Sequence, residues 1–363
     1  MITALALLGY AACAAWCVPA LLAPLTRRGA SVRAGLAAWL TAMASVLVSA
    51  VVAIQFSFRT VAADWPQLTQ ALCRSVAGGA CTPEVYRSAL YEGGVAALAI
   101  VTTLLAAVAV WRYGHRVQRS RRQTRAHAEV ARMVGRALAE GTQAAGPGAP
   151  GAGELVRRYA EAVVLDDPRP AAYCVAGRPA AIVLTSGALE VLDPPQLSAV
   201  LAHERAHLAH GDHVLHTLTQ GLAAAFPGVP LFTRGAAEIA RLTEMAADDA
   251  AARANSRSTL VAALLAIATG TAVSTTGIST TGISTTGIST TGISTTGIPS
   301  TGVQGAAIPT RAMAAAARAV PDRVERLLRP SSPARSAAFT GTLSLVLTLL
   351  AAAPPTLTAL LAR

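Results

Sequence analysis

The sequence predicts a mainly α membrane protein with four transmembrane helices and, ahead of the last of them, a cytosolic domain of α+β type. Three observations carry that expectation. Hydrophobic residues make up 53% of the 363 and charged residues 13%, with a mean hydropathy of +0.47, which is too apolar for an ordinary soluble enzyme of this length. Four stretches are apolar enough for a helix to cross the roughly 30 Å of bilayer hydrocarbon. Every basic residue is Arg, and the arginines bunch beside those stretches. The net charge of +11 therefore reads as membrane topology, and no direct nucleic-acid binding is expected.

In chain order, residues 2–25 are uncharged and lack the basic start of a signal peptide, so they are expected to span. Arg27, Arg28 and Arg33 separate them from a second span at 34–56. Residues 57–92 read as a polar external loop in which Arg59, Arg74 and Arg87 balance Asp64, Glu84 and Glu92. A third span at 93–111 runs into Arg112, Arg116, Arg119, Arg121, Arg122 and Arg125, a basic run that should stay cytoplasmic. The fourth span is residues 338–361, which Pro354-Pro355 can kink. Both arginine clusters are satisfied in the plasma membrane with the N-terminus outside, loop 57–92 outside, the long segment after Arg112 inside and the C-terminus outside.

Cysteine usage fits that topology. Cys73 and Cys81 flank Gly78-Gly79 in the external loop, where a disulfide is possible. Cys13 and Cys17 read as small packing residues of the first span, and Cys174 as a buried strand residue.

The cytosolic part begins with a basic juxtamembrane helix to about Glu140 and a Gly/Pro/Ala linker, together residues 112–153. A domain over 154–335 follows. Glu154 to Leu165 reads as a short helix, then Ala171 to Ala176 and Ala180 to Thr185 as two strands around Gly177-Arg178-Pro179. An edge strand there suits the pairing of a substrate backbone. Asp193-Pro194-Pro195 opens a helix whose apolar face is Leu197, Val200, Leu201 and Leu208. Residues 214–232 read as the end of that helix, then a buried or membrane-contacting helix and a break at Pro227 and Pro230. A charged helix over 233–257 and an apolar core helix over 259–272 come next. Residues 274–298 are five perfect copies of STTGI, a low-complexity insert with no expected catalytic role, and order resumes at Arg323-Val324-Glu325-Arg326-Leu327-Leu328.

The chemistry lies in His203-Glu204-Arg205-Ala206-His207, an H-E-x-x-H pattern. Histidines four apart on a helix share one face, so both imidazoles can converge on one Zn²⁺. Glu204 then stands beside the open coordination position, where a carboxylate can take a proton from a water that the metal has acidified to a pKa of roughly 7. Such a site needs a third protein ligand. His213 follows His207 by six residues, but the glycine that would turn the chain back is one place late, at Gly211, with His210 in its stead. Glu244 is favoured over it, because Asp248 lies one turn further along the same helix face and can orient a ligand histidine.

These residues, together with Asp212-His213, Gly177-Arg178-Pro179 and Ile182-Val183-Leu184-Thr185-Ser186-Gly187, resemble the membrane zinc metallopeptidases of the BlaR/MecR antirepressor type, gluzincins related to HtpX-like and CAAX-prenyl-type membrane proteases. The resemblance is clear over 171–257 and looser over the span arrangement. It implies His203, His207 and Glu244 as zinc ligands, Glu204 as general base and Asp248 as the carboxylate behind a ligand. It also implies a cytosolic or membrane protein as substrate, with a transcriptional repressor as one form. The sequence stops at Arg363 without the penicillin-binding sensor of that family, so no acylation site is expected. A quality-control protease and a non-proteolytic receptor or scaffold with a vestigial zinc site are the alternatives. The intact Glu204 weighs against the last, since a purely structural zinc is usually closed by four protein ligands and needs no base.

Overall fold

The computed structural model describes residues 2–27, 31–76, 83–134, 136–137, 162–175, 180–275, 320–329 and 332–361. The chain divides into two compact units, which are taken separately. The membrane unit comprises Met1–Gln118, His216–Leu242 and Ser332–Arg363, and the metal unit comprises Arg119–Leu215 and Thr243–Ser331.

In the membrane unit α1 (Ile2–Arg27) packs along α2 (Val32–Val76), and α10 (Pro333–Leu361) packs on both. Among the described residues three helical segments are long and apolar enough to cross a membrane: Ile2–Arg27, Val32–Ala63 and Ser336–Leu360. The expected third span at 93–111 lies within α3 (Pro83–Val134), and the side chains of residues 95 and 98 fall outside the described set. The external loop expected at 57–92 is largely helical instead, since α2 runs on to Val76 and α3 begins at Pro83. Polarity alone does not end a helix.

One polar node pins the three packed helices. Pro354 has no N–H to offer the carbonyl of Leu350, four residues back. That oxygen is taken instead by Ser45 Oγ of α2 at 2.7 Å and by Tyr10 Oη of α1 at 3.4 Å, while Tyr10 and Ser45 share a further hydrogen bond at 2.7 Å. The helical segments 216–225 and 230–242 belong to this unit as well. Tyr113 fits against Gly221, where a Cβ would come within 2.6 Å of its ring, and a Cβ on Gly235 would collide with Met43 and Trp39. Glu238 is buried and takes Arg27 Nε at 3.0 Å and Arg241 Nε at 2.9 Å.

The metal unit is built on a mixed four-stranded sheet of β1 (Arg136–Ala137), β2 (Ala162–Leu165), β3 (Ala172–Val175) and β4 (Ala181–Thr185), in the order β1-β2-β4-β3. β2 runs parallel to β4, and the other pairs are antiparallel. Two expectations fail here. Residues 162–165 form a strand rather than the end of a helix, because Val163, Val164 and Leu165 gain a ladder against Val183, Leu184 and Thr185. The basic helix stops at Val134, and Arg136–Ala137 pairs with β2. The unit with the H-E-x-x-H helix thus starts upstream of Glu154 and omits 216–242, whereas one continuous domain over 154–335 was expected.

After the short α4 (Ser186–Val191), the long α5 (Pro194–His210) lays Leu197, Val200 and Leu201 on the sheet face formed by Ala162, Val164, Ile182 and Leu184. Alternation along β2 and β4 is what presents those residues together. α6 (Asp212–Ala225), α7 (Pro230–Ala254), α8 (Arg257–Thr269) and α9 (320–328) complete the described order. Ala199 of α5 meets Ala251, Leu260, Val261, Val324 and Leu327, so α7, α8 and α9 close over its other side.

Candidate metal centre

α5 carries the motif where it does because both of its ends are specified. Asp193 caps the first turn, accepting from the Gln196 N–H at 2.8 Å while Gln196 Oε1 accepts from the Asp193 N–H at 3.3 Å. Pro194 and Pro195 occupy positions that need no N–H. Gly211, at φ +67°, ends the helix in the left-handed conformation that glycine adopts without strain. The expectation that this helix continued past His213 is thereby corrected: α6 is a separate helix opened by Asp212.

That turn serves the site. It delivers Asp212 Oδ2 to His207 Nδ1 at 2.7 Å, which leaves His207 Nε2 facing His203 Nε2 at 3.1 Å. Glu244 of α7 approaches the pair, with Oε2 3.5 Å from His203 Nε2 and Oε1 3.6 Å from His207 Nε2. A tetrahedral zinc bound at about 2.0–2.1 Å separates its ligand atoms by roughly 3.3 Å. Spacings of 3.1–3.6 Å in a His/His/carboxylate set therefore fit that ion. Among the described residues His203, His207 and Glu244 form a group whose ligand atoms all lie within 4.8 Å of one another. His213 is exposed on α6 and stands outside it.

Behind the ligands lies a charged network. His203 Nδ1 is 3.1 Å from Asp248 Oδ1, close but out of line for a hydrogen bond. Asp248, 1% exposed, is gripped by Arg323 of α9, whose Nε donates to Oδ2 at 2.8 Å and whose Nη2 donates to Oδ1 at 2.6 Å. Arg323 Nη1 also stands 3.1 Å from Glu244 Oε2. One turn on, Arg326 forks onto Asp249 at 2.9 and 2.7 Å. Two arginine forks thus clamp α9 to α7.

The electrostatics follow from that packing. Burial opposes charge on His203, but the carboxylates of Asp248 and Glu244 outweigh it and hold its pKa at about 9. Burial likewise opposes ionisation of Glu244, yet His203 and Arg323 keep it down at about 2. Asp248 is pulled well below the usual carboxylate range, against its burial, chiefly by its bonds to Arg323 and His203. Glu204 is buried on α5, one residue past the first ligand. Cys174, on β3, is pushed up to about 12 by burial and by the nearby charges of Glu204, Asp212 and Glu244. Its thiol is not a thiolate at neutral pH in the metal-free protein, and it is not among the grouped ligand atoms.

The sequence reading quoted Asp212 without assigning it a role, and it gave Arg323 none. The role of Asp212 could have been found from the rule that a metal-binding imidazole usually gives its second nitrogen to a carboxylate. Arg323 left no local signal, because it lies 75 residues from Asp248. Cys81, the side chain of Cys73 and residues 276–298 of the STTGI insert fall outside the described residues.

Residues 120–227 match peptidase family M48. The match takes in the H-E-x-x-H helix and Asp212 and ends before Glu244. A "Protease HtpX homolog" of Tropheryma whipplei (strain Twist) is 39% identical over 67 residues, 18% of this chain and 23% of that protein. One of Acidiphilium cryptum (strain JF-5) is 41% identical over 64 residues, 17% of this chain and 22% of that protein. The chain thus spans under a quarter of the length of these relatives. No solved structure matches. These similarities are confined to part of the chain, and they do not single out the BlaR/MecR type.

Proposed function

We propose that the chain is an integral-membrane, zinc-dependent metalloendopeptidase. The observation that carries this reading is the convergence of His203, His207 and Glu244 at 3.1–3.6 Å beside the buried Glu204. A bound zinc would supply Lewis acidity, polarising a peptide carbonyl and lowering the pKa of a water to about 7. Glu204 then takes the proton of the attacking water and hands it to the leaving amine. Asp212 orients His207 through a hydrogen bond to its Nδ1, Asp248 sets a negative charge 3.1 Å from His203 Nδ1, and Arg323 holds Asp248 and Glu244 in place. β3, at the open edge of the sheet, is available to pair with an extended substrate.

The membrane placement adds residues 93–111 to the three candidate spans. Ile100, Val101, Leu104, Leu105, Val108, Val110 and Trp111 all project at least half exposed from that stretch, an apolar surface that suits lipid and not water. The arginines after residue 111 favour a cytoplasmic metal unit, with the N-terminus outside and a plasma-membrane location. The substrate is a cytosolic or membrane protein. Cleavage of a transcriptional repressor is the narrower form of this reading and rests on the BlaR/MecR resemblance alone.

The test is a comparison of cellular protein N-termini between wild type and Glu204→Ala. New termini that vanish in the variant support a protease, and one or a few of them point to regulated cleavage, many to quality control. Identical sets of termini would contradict the proposed activity.

A further inference from the structure

The basic stripe that follows residues 93–111 on α3 is more than a topology signal. We infer that it binds the headgroups of anionic phospholipids, an inference that rests on the reading of residues 93–111 as a span. Arg112, His115 and Arg116 are exposed, and Arg119 and Arg122 follow exposed on the same helix. At 100° per residue these five side chains fall within an arc of roughly 120°, so they form one stripe rather than a ring. The side chains beyond the stripe are used differently: Ala109, at its border, is buried, and Tyr113 and Val117, further round the helix, pack against Gly221.

Three features give the stripe its partner. It begins where the exposed apolar surface of the helix ends, so a lipid lying along Leu104, Leu105 and Val108 has its headgroup at the level of the arginines. Trp111, 68% exposed, stands at the junction with its ring 5.8 Å from that of His115. An amphipathic indole at that level is what membrane interfaces enrich. The charge is also one-signed: Glu129 is the first acidic residue after Glu92, so no carboxylate in the sequence between them neutralises the stripe. Arg112 spends its Nε on the carbonyl of Ala224 at the end of α6, which fixes the start of the stripe in place. A nucleic acid would meet the same charge, but it has no use for the apolar surface and the tryptophan that continue the stripe.

The chain has four Trp. The test uses the full-length protein with Trp16, Trp39 and Trp65 changed to Phe, reconstituted in phosphatidylcholine vesicles, so that Trp111 reports alone. Its fluorescence is quenched with increasing fractions of acyl-brominated phosphatidylglycerol or of acyl-brominated phosphatidylcholine. Since one arginine near the surface is worth about a fivefold preference for anionic lipid, half-quenching should need at least about fivefold less of the anionic quencher. The variant Arg116→Gln/Arg119→Gln/Arg122→Gln, which keeps the Arg112 bond, should lose that preference. Equal quenching by both lipids overturns the headgroup site and leaves the span standing. Absence of quenching by either overturns the span and the inference with it. A preference that survives in the variant overturns the assignment to these arginines. Retention of wild type, but not the variant, on immobilised single-stranded RNA without lipid preference would give the stripe to nucleic acid instead.

Discussion

The buried hydrogen bonds around Leu350 in the membrane unit are neutral, and those around His203 and His207 in the metal unit involve ionisable side chains. In the first, a proline-orphaned carbonyl, a hydroxyl and a phenol satisfy one another at Leu350, Ser45 and Tyr10. In the second, two histidines, three carboxylates and an arginine are packed into one network around His203 and His207. A charged cluster of the membrane unit, at Glu238, sits where Arg27 is still 64% exposed. The difference teaches where each unit is vulnerable. A neutral node in a bundle loses little when one member goes, since interhelical side-chain bonds in membranes average about 0.6 kcal/mol. A buried ion that loses its partner keeps its full desolvation cost, about 3–5 kcal/mol.

That contrast can be broken at several points, and the largest effect belongs to chemistry. Glu204→Gln should lower kcat of peptide hydrolysis roughly 10²- to 10⁴-fold with little change in thermal stability, because the change removes a base and not a packing group. A variant with undiminished turnover would remove Glu204 from the reaction.

Arg323→Ala comes next. It leaves Asp248, 1% exposed, without its fork, and the expected loss is about 3–5 kcal/mol in denaturant unfolding of the metal unit. A loss below about 1 kcal/mol would mean that the network is solvated and that the contrast between the units is false.

A pH effect of intermediate size follows from His203. Its folded pKa of about 9 lies above the ordinary 6.5, so in metal-free protein its pairing contributes stability that is full below about pH 6.5 and lost as the pH rises through about 9. Zinc must displace that proton. Apparent zinc affinity, read by chelator competition, should therefore climb about tenfold per pH unit up to about pH 9. A flat profile would place the proton elsewhere.

The smallest effect is expected in the membrane unit. Ser45→Ala leaves the Leu350 carbonyl with Tyr10 alone and should cost about 0.6 kcal/mol, measured as a small fall in unfolding midpoint in detergent. A loss as large as that of Arg323→Ala would show that the node, too, behaves as an all-or-none network.

How much of this was legible in the sequence depends on how local each cause is. α5 could be read closely because its cap, its prolines, its apolar stripe and its histidine spacing all lie within 17 residues. The antiparallel β3/β4 pair was legible for the same reason, since its Val, Ile and Tyr residues lie in two runs close together in sequence. Residues 162–165 were not, because four apolar residues fit a helix or a strand equally, and only pairing with β4 decides. The helical continuation of α2 to Val76 was missed because polar composition was read as a loop. Glu244 could be nominated from its one-turn spacing to Asp248, which is local. The role of Arg323 could not, because the fold alone brings α9 to α7.

The central claim is that His203, His207 and Glu244, and not His213, hold one zinc. Its most direct test is the metal content of purified full-length protein, by elemental analysis, for wild type, Glu244→Ala and His213→Ala. The account predicts about one zinc per chain in wild type and in His213→Ala, and a large loss in Glu244→Ala. Full zinc in Glu244→Ala together with its loss from His213→Ala would contradict it.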